Sequence, residues 1–187
     1  MASVDPVLHA ILRSAVEATG AADGWLVAVD DAADELVVVS TVGDNARRLL
    51  GVTVNEDEGF AGFVVGTGQP LAIEPSADDP RFADGLTPRL GRRPRTLLCV
   101  PCEDDEDVVL GAIELVDKAG GGFSYDDLEL VTVLAGVAGV SLRHGGGGAT
   151  LIPTPAELGR QLLDLAGADP VRYAQVAELV ATLARRD

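Results

Sequence analysis

Cysteine, histidine, tryptophan, methionine and lysine are all scarce: 187 residues contain two, two, one, one and one of them. Two cysteines are too few for a disulfide framework, as expected in a reducing compartment. The longest apolar run, "VTVLAGVAGVSL" at 131–142, is too short to cross a bilayer, and the opening "MASVDPVLHAILRS" has no basic stretch leading into a signal-type core. A cytoplasmic protein is expected. Basic residues are also short, 14 against 30 acidic ones, and the formal net charge is −16. Such a surface repels phosphate backbones, which argues against nucleic acid and anionic membrane as partners. No cysteine–histidine or other nucleophile–base set is visible, so no enzyme chemistry is expected. Arginine outnumbers lysine 13 to 1 beside abundant Ala, Gly, Val and Asp, a bias that suggests a GC-rich bacterial genome.

What is present reads as a mixed α and β chain. Asp5 and Pro6 supply a cap and a first helical position, apolar residues from Val7 to Val16 recur at helical spacing, and Gly20 ends the helix. "GWLVAVDDAADELVVVSTVG" reads as a hairpin turning at "DDAAD". A short helix closed by Gly66 and Gly68 precedes a strand at 70–73, and a polar, arginine-rich stretch runs to residue 95. "TLLCVPC" and "VVLGAIELVDK" form a second hairpin around the acidic turn "EDDED". Ser124 caps a long helix to residue 144, with Asp126 and Asp127 in its first turn. Its apolar positions cover more than one face, which calls for burial on two sides. The run "GGGG" starts a linker, and two capped segments follow, opened by Thr154 with Pro155 and by Asp169 with Pro170. The expected division is a domain at 1–144, a Gly-rich linker at 145–153 and a helical hairpin at 154–187.

Three stretches carry a family resemblance. "GFAGFVVGTGQPLAIEPSADDPRF", "LLCVPCEDDEDVVLGAIELVDK" and "DKAGGGFSYDDLE" resemble the helix–strand–turn run, the central hairpin and the NKFDE motif of GAF domains. These are the small-molecule-sensing modules of phosphodiesterases, phytochromes and many bacterial regulators. The likeness covers roughly residues 5–144. It implies an α+β fold with a central antiparallel sheet and helices on both faces, followed here by the C-terminal α-helical hairpin. Lys118, Phe123 and Asp127 match the NKFDE motif, whose lysine and aspartate pair across a loop end, while Asp117 and Leu128 depart from it. Cyclic-nucleotide binding is not supported by so partial a match. The free methionine sulfoxide reductases of the same fold take their cysteines from the helix and loop over the pocket; this chain has Ala61 and "GLTPRLGRRPR" there. Haem, iron and bilin sites of the family draw on histidine or cysteine from the pocket region, and both histidines here, His9 and His144, lie outside it. No cofactor or metal is expected.

The resemblance places a pocket between the sheet and segments 58–67 and 78–90, with Phe60, Val64, Phe82, Leu86, Leu98, Val100 and Ile113 as candidate walls; the same residues can equally fill a core. Arg89, Arg92, Arg93 and Arg95 crowd into "PRLGRRPR". They either greet an anionic ligand at the pocket mouth or pair with "EDDED". Cys99 and Cys102, three apart on a strand, point to opposite faces and read as buried small hydrophobes, with redox sensing through the two thiols as a third functional reading. The functional expectation is a non-catalytic regulatory protein. It acts as a homodimer through its terminal helices and by contact with a signalling partner. The alternative is a sensor of a small anionic metabolite or nucleotide.

Overall fold

The computed structural model describes residues 5–74, 79–82, 84–145 and 167. Helix α1 (Pro6–Thr19) starts where Asp5 Oδ1 accepts from Val7 N at 2.7 Å and Leu8 N at 3.2 Å, and it stops at Gly20, whose φ of 71° suits the absent Cβ. Strands β1 (Asp23–Asp30) and β2 (Glu35–Val42) form the first hairpin. A 3₁₀ turn (Ala46–Leu49) and a short strand β3 (Thr53–Asn55) follow, neither of them expected from the sequence pattern. Helix α2 (Gly59–Thr67) runs through Gly66 and is capped by Gly68. After β4 (Leu71–Ile73) come a 3₁₀ turn (Pro80–Phe82), the one-turn helix α3 (Thr87–Leu90), the hairpin β5 (Leu97–Glu103) and β6 (Val109–Val116), and α4 (Tyr125–Gly145).

The six strands make one antiparallel sheet in the order β3-β2-β1-β6-β5-β4. Strand alternation divides its side chains between two apolar layers. On the outer face Leu26, Ala28, Leu98, Val100, Cys102, Ile113 and Leu115 meet Leu8, Leu12 and Val16 of α1 and Val131, Ala135 and Leu142 of α4. On the inner face Trp25, Val27, Leu36, Leu97, Cys99, Ala112 and Val116 meet α2, the Pro80–Phe82 turn and α3. Helices on both faces agree with the sequence expectation. The linker and the C-terminal hairpin, 145–153 and 154–187, lie outside the described residues except for Gly145 and Gly167. By contacts the chain divides at Gly148, into Met1–Gly148 and Ala149–Asp187.

Helix α4 is seated firmly at its C-terminal half. Gly139 lies so close to the end of β5 that an added Cβ would run into the Glu103 carbonyl. One turn on, Arg143 pairs with Asp104 and Glu106 of the β5–β6 turn. That turn is built by Asp104, whose Oδ1 accepts from Glu106 N at 2.8 Å and Val108 N at 3.0 Å.

Candidate functional site

The inner face is where the expected pocket falls. Phe60, Val64, Phe82 and Leu86 do come together there, with the Phe60 and Phe82 rings edge to face at 5.3 Å. Leu98, Val100 and Ile113 do not: they point through the sheet to α1 and α4. The reason is parity, since residues 97 and 99 face inward and their neighbours must face outward. The cover is short and glycine-rich. Gly59 (φ 71°) opens α2 against Gly85 (φ 74°), so closely that a Cβ on Gly85 would lie 3.0 Å from the Gly59 Cα. Arg81, paired with Asp79 at 2.8 Å, lies 4.8 Å from the Phe60 ring centre and 5.2 Å from that of Phe63.

The arginine loop is not paired with "EDDED", whose Asp104 and Glu106 engage Arg143 instead. Arg92 is bound to Asp23 at 2.7 Å and to Asp117, Arg95 donates its backbone N–H to Asp117 Oδ1 at 2.7 Å, and Arg93 stacks over Phe82 at 5.4 Å. Arg89 reaches the Gly85 carbonyl at 3.4 Å. Sequence reasoning missed the hub of this arrangement. Asp23 is fully buried and accepts from Asn45 N at 2.9 Å, Asn45 Nδ2 at 2.9 Å and Ala46 N at 3.1 Å. Burial works to raise its pKa, but these donors and Arg92 outweigh it and hold the carboxyl below its ordinary range. The loop is therefore tied down at the start of β1 and the end of β6, and Arg48 is brought against Gly91 beside it.

The cysteines lie on opposite faces, Cys99 inner and Cys102 outer. Three strand residues apart, their Cα atoms are separated by about 10 Å, beyond disulfide reach. Burial pushes both thiols up, so neither is a thiolate at neutral pH and the redox reading loses its chemistry.

Beside Cys99 stands Glu114, the other residue the sequence reading passed over. It is only 2% exposed. Its Oε2 accepts from Trp25 Nε1 at 3.2 Å, while Oε1 is a buried atom with no partner among the described residues. Burial pushes its carboxyl up to about 8, against the weaker pull of the indole N–H. A single acid in the apolar strand "GAIELV" was the available signal.

Lys118 pairs with Asp127, and Asp127 also accepts from Ser124 N at 2.6 Å and Oγ at 2.8 Å, a capping arrangement at the start of α4. Phe123 packs against the outer layer. The Lys118, Phe123 and Asp127 set is thus structural. His9 bonds Ser40 Oγ at 3.2 Å, and His144 meets the Val140 carbonyl at 2.9 Å at the end of α4. An open surface groove of about 640 Å³ is lined by Asp34, Glu56 and Asp57 with Phe63 and other residues of α2. No cluster able to hold a metal ion occurs among the described residues. No described helix is long and apolar enough to cross a membrane.

The fold is thus an antiparallel sheet with long helices on one face and a cover of short segments over a second hydrophobic layer on the other. The GAF domain family model matches residues 3–142, and the chain belongs to that family of small-molecule-sensing regulatory domains. It is 30% identical over 111 residues to the probable 3',5'-cyclic phosphodiesterase pde-5 of Caenorhabditis elegans, a match covering 59% of this chain and 14% of that protein. The chain therefore corresponds to a small part of that relative. Among solved structures it is similar to the GAF domain of a Coxiella burnetii phosphoenolpyruvate-protein phosphotransferase. The TM-score is 0.63 at 22% identity, over 74% of this chain and 81% of that one. It is also similar to the free methionine-R-sulfoxide reductase of Neisseria meningitidis, with a TM-score of 0.57 at 19% identity, over 78% and 83%. These structures share the fold, and the second shows that the fold also carries an enzyme.

Proposed function

We propose that the chain is a non-catalytic regulatory module that dimerises along α4 and signals by contact with another protein. The observation that supports this is the outward stripe of α4. Leu130, Val133, Val137 and Val140 recur every three or four residues and keep 40%, 68%, 51% and 41% of their surface exposed. That spacing is the seam of a helix pair, and so dense an apolar stripe is uncommon on a surface that stays in water. The experiment is light scattering on the whole chain and on the Val133→Lys, Val137→Lys double variant. A dimer that becomes a folded monomer in the variant is expected; a wild-type monomer at micromolar concentration overturns the reading.

A second reading, sensing of a small molecule between the sheet and its cover, is favoured by the unpartnered oxygen of Glu114. The small anion suggested by the arginine loop has less support, because Arg92 is already committed to Asp23 and Asp117. A thermal-shift screen of nucleotides, organic acids and amines tests this reading: a compound at a hundred times its Kd stabilises by about 2.7 kcal/mol. A library with no hit in any class overturns it.

A further inference from the structure

We propose that Glu114 is the anchor of an interior ligand subsite between the sheet and the α2–α3 cover, and that it takes a small nitrogen base whose protonated nitrogen donates to Oε1. This rests on the sensing reading above and names its ligand class. Glu114 faces inward between Trp25 of β1 and Cys99 of β5, its partners in strand register. Ala112 and Val116 flank it on its own strand, and the layer opposite is built from Phe60, Ala61, Val64 and Phe82. The indole N–H is spent on Oε2. Cys99, its thiol pushed up by burial, offers only a weak donor, and Arg81, over the Phe60 ring, is paired with Asp79. Among the described residues none supplies a donor to Oε1.

Native interiors satisfy nearly all their buried polar groups, and Oε1 is an exception among the described residues. A carboxyl held dry with one oxygen idle is therefore suited to meet something that enters. In the unliganded interior burial keeps it protonated. A base whose conjugate acid has a pKa above 8 is already an ammonium at neutral pH, so the Glu114 carboxyl releases its proton to solvent as the ligand binds. The products are a carboxylate and an ammonium joined by a charge-assisted hydrogen bond, with no net charge added to the core. The aromatic faces of Trp25, Phe60 and Phe82 suit such a cation.

Trp25 is the single tryptophan of the chain, so its indole N–H resonance reports on this spot alone. The test is titration of the full ¹⁵N-labelled chain with 2-phenylethylamine and with its acidic counterpart, 3-phenylpropionate. The amine is expected to shift the Trp25 indole resonance saturably and the acid to leave it in place. Glu114→Gln should weaken the amine at least tenfold. Glu114→Leu should abolish the response while keeping the native circular dichroism. Equal shifts by the acid, or unchanged amine affinity in Glu114→Gln, would overturn the nitrogen-base subsite and leave sensing standing. An indole resonance unmoved by both probes counts against both readings. If both variants fail to fold, Glu114 is a structural residue and the proposal falls.

Discussion

The two faces of the sheet come from the same strands by the same alternation, yet they are finished differently. The outer face is closed by two long helices, with Leu12, Ala15, Leu98, Ile113, Leu115, Val131 and Ala135 all fully buried. The inner face is closed by a nine-residue helix, a 3₁₀ turn and a four-residue helix, and it holds an acid, a thiol and an indole among its hydrophobes. The inner layer buries as many apolar residues as the outer one, but only the outer face is closed by long, continuous helices. The inner face gives up that continuity for polar groups and short segments that can be displaced, which is where ligand-responsive elements are drawn from.

Leu98→Ala should break the outer face most severely, costing about 3 kcal/mol because the truncation leaves a cavity under α1 and α4; a urea midpoint within 0.5 kcal/mol, on the order of an ordinary surface change, would contradict this assignment. The inner face should show itself through pH. Between about 4.5 and 8 the folded protein keeps a proton on Glu114 that the unfolded chain has released. The Glu114 contribution to stability is thus fully present below the unfolded pKa and falls by roughly 1 kcal/mol per pH unit as pH rises toward 8. Urea melts from pH 5 to 8 should show that slope in the wild type and its loss in Glu114→Gln. At the acid end the sign reverses: Asp23 and Asp127 are held low, and their contribution disappears as pH drops through their folded values.

Glu114→Leu should then sharpen the contrast by lowering stability by about 1 to 2 kcal/mol at pH 7, since removing the carboxyl strands the buried Trp25 indole N–H; a raised denaturation midpoint would show the idle Oε1 to be the larger cost. Gly85→Ala should cost about 1 to 2 kcal/mol, from its φ of 74° and the crowding against Gly59. Hydrogen exchange should localise that loss to α2 and leave α1 and α4 as protected as before. The smallest effect is Ser124→Ala, about 1 kcal/mol from the lost cap of α4, read by thermal melting.

Much of the fold was legible in local chemistry. Asp5, Pro6 and Gly20 bound α1, the two acidic turns mark the hairpins, and Ser124 with Asp127 opens α4, because each acts within a few residues of itself. The candidate site was legible only in part. Phe60, Val64, Phe82 and Leu86 follow from the family resemblance, but Leu98, Val100 and Ile113 were assigned to the wrong face. The alternation that separates Cys99 from Cys102 also separates Leu98 from Cys99, and it was applied to the sulfurs alone. Asp23 was out of reach for another reason: its partners Asn45 and Arg92 lie 22 and 69 residues away. No local pattern announces a contact closed by the whole sheet.

The bare backbone contact at Gly139 has a mechanical consequence. Most helices ride on a sheet through a cushion of side chains, which can change rotamer and absorb a small displacement. Here α4 bears directly on the last residue of β5, and the Arg143–Asp104 pair pins the next turn to the same hairpin. A hard bearing with a pin has little slack. Any tilt of the β5–β6 hairpin, whose inner side carries Cys99 and Glu114, is delivered to α4 as motion of the rod itself, and that rod carries the exposed valine stripe.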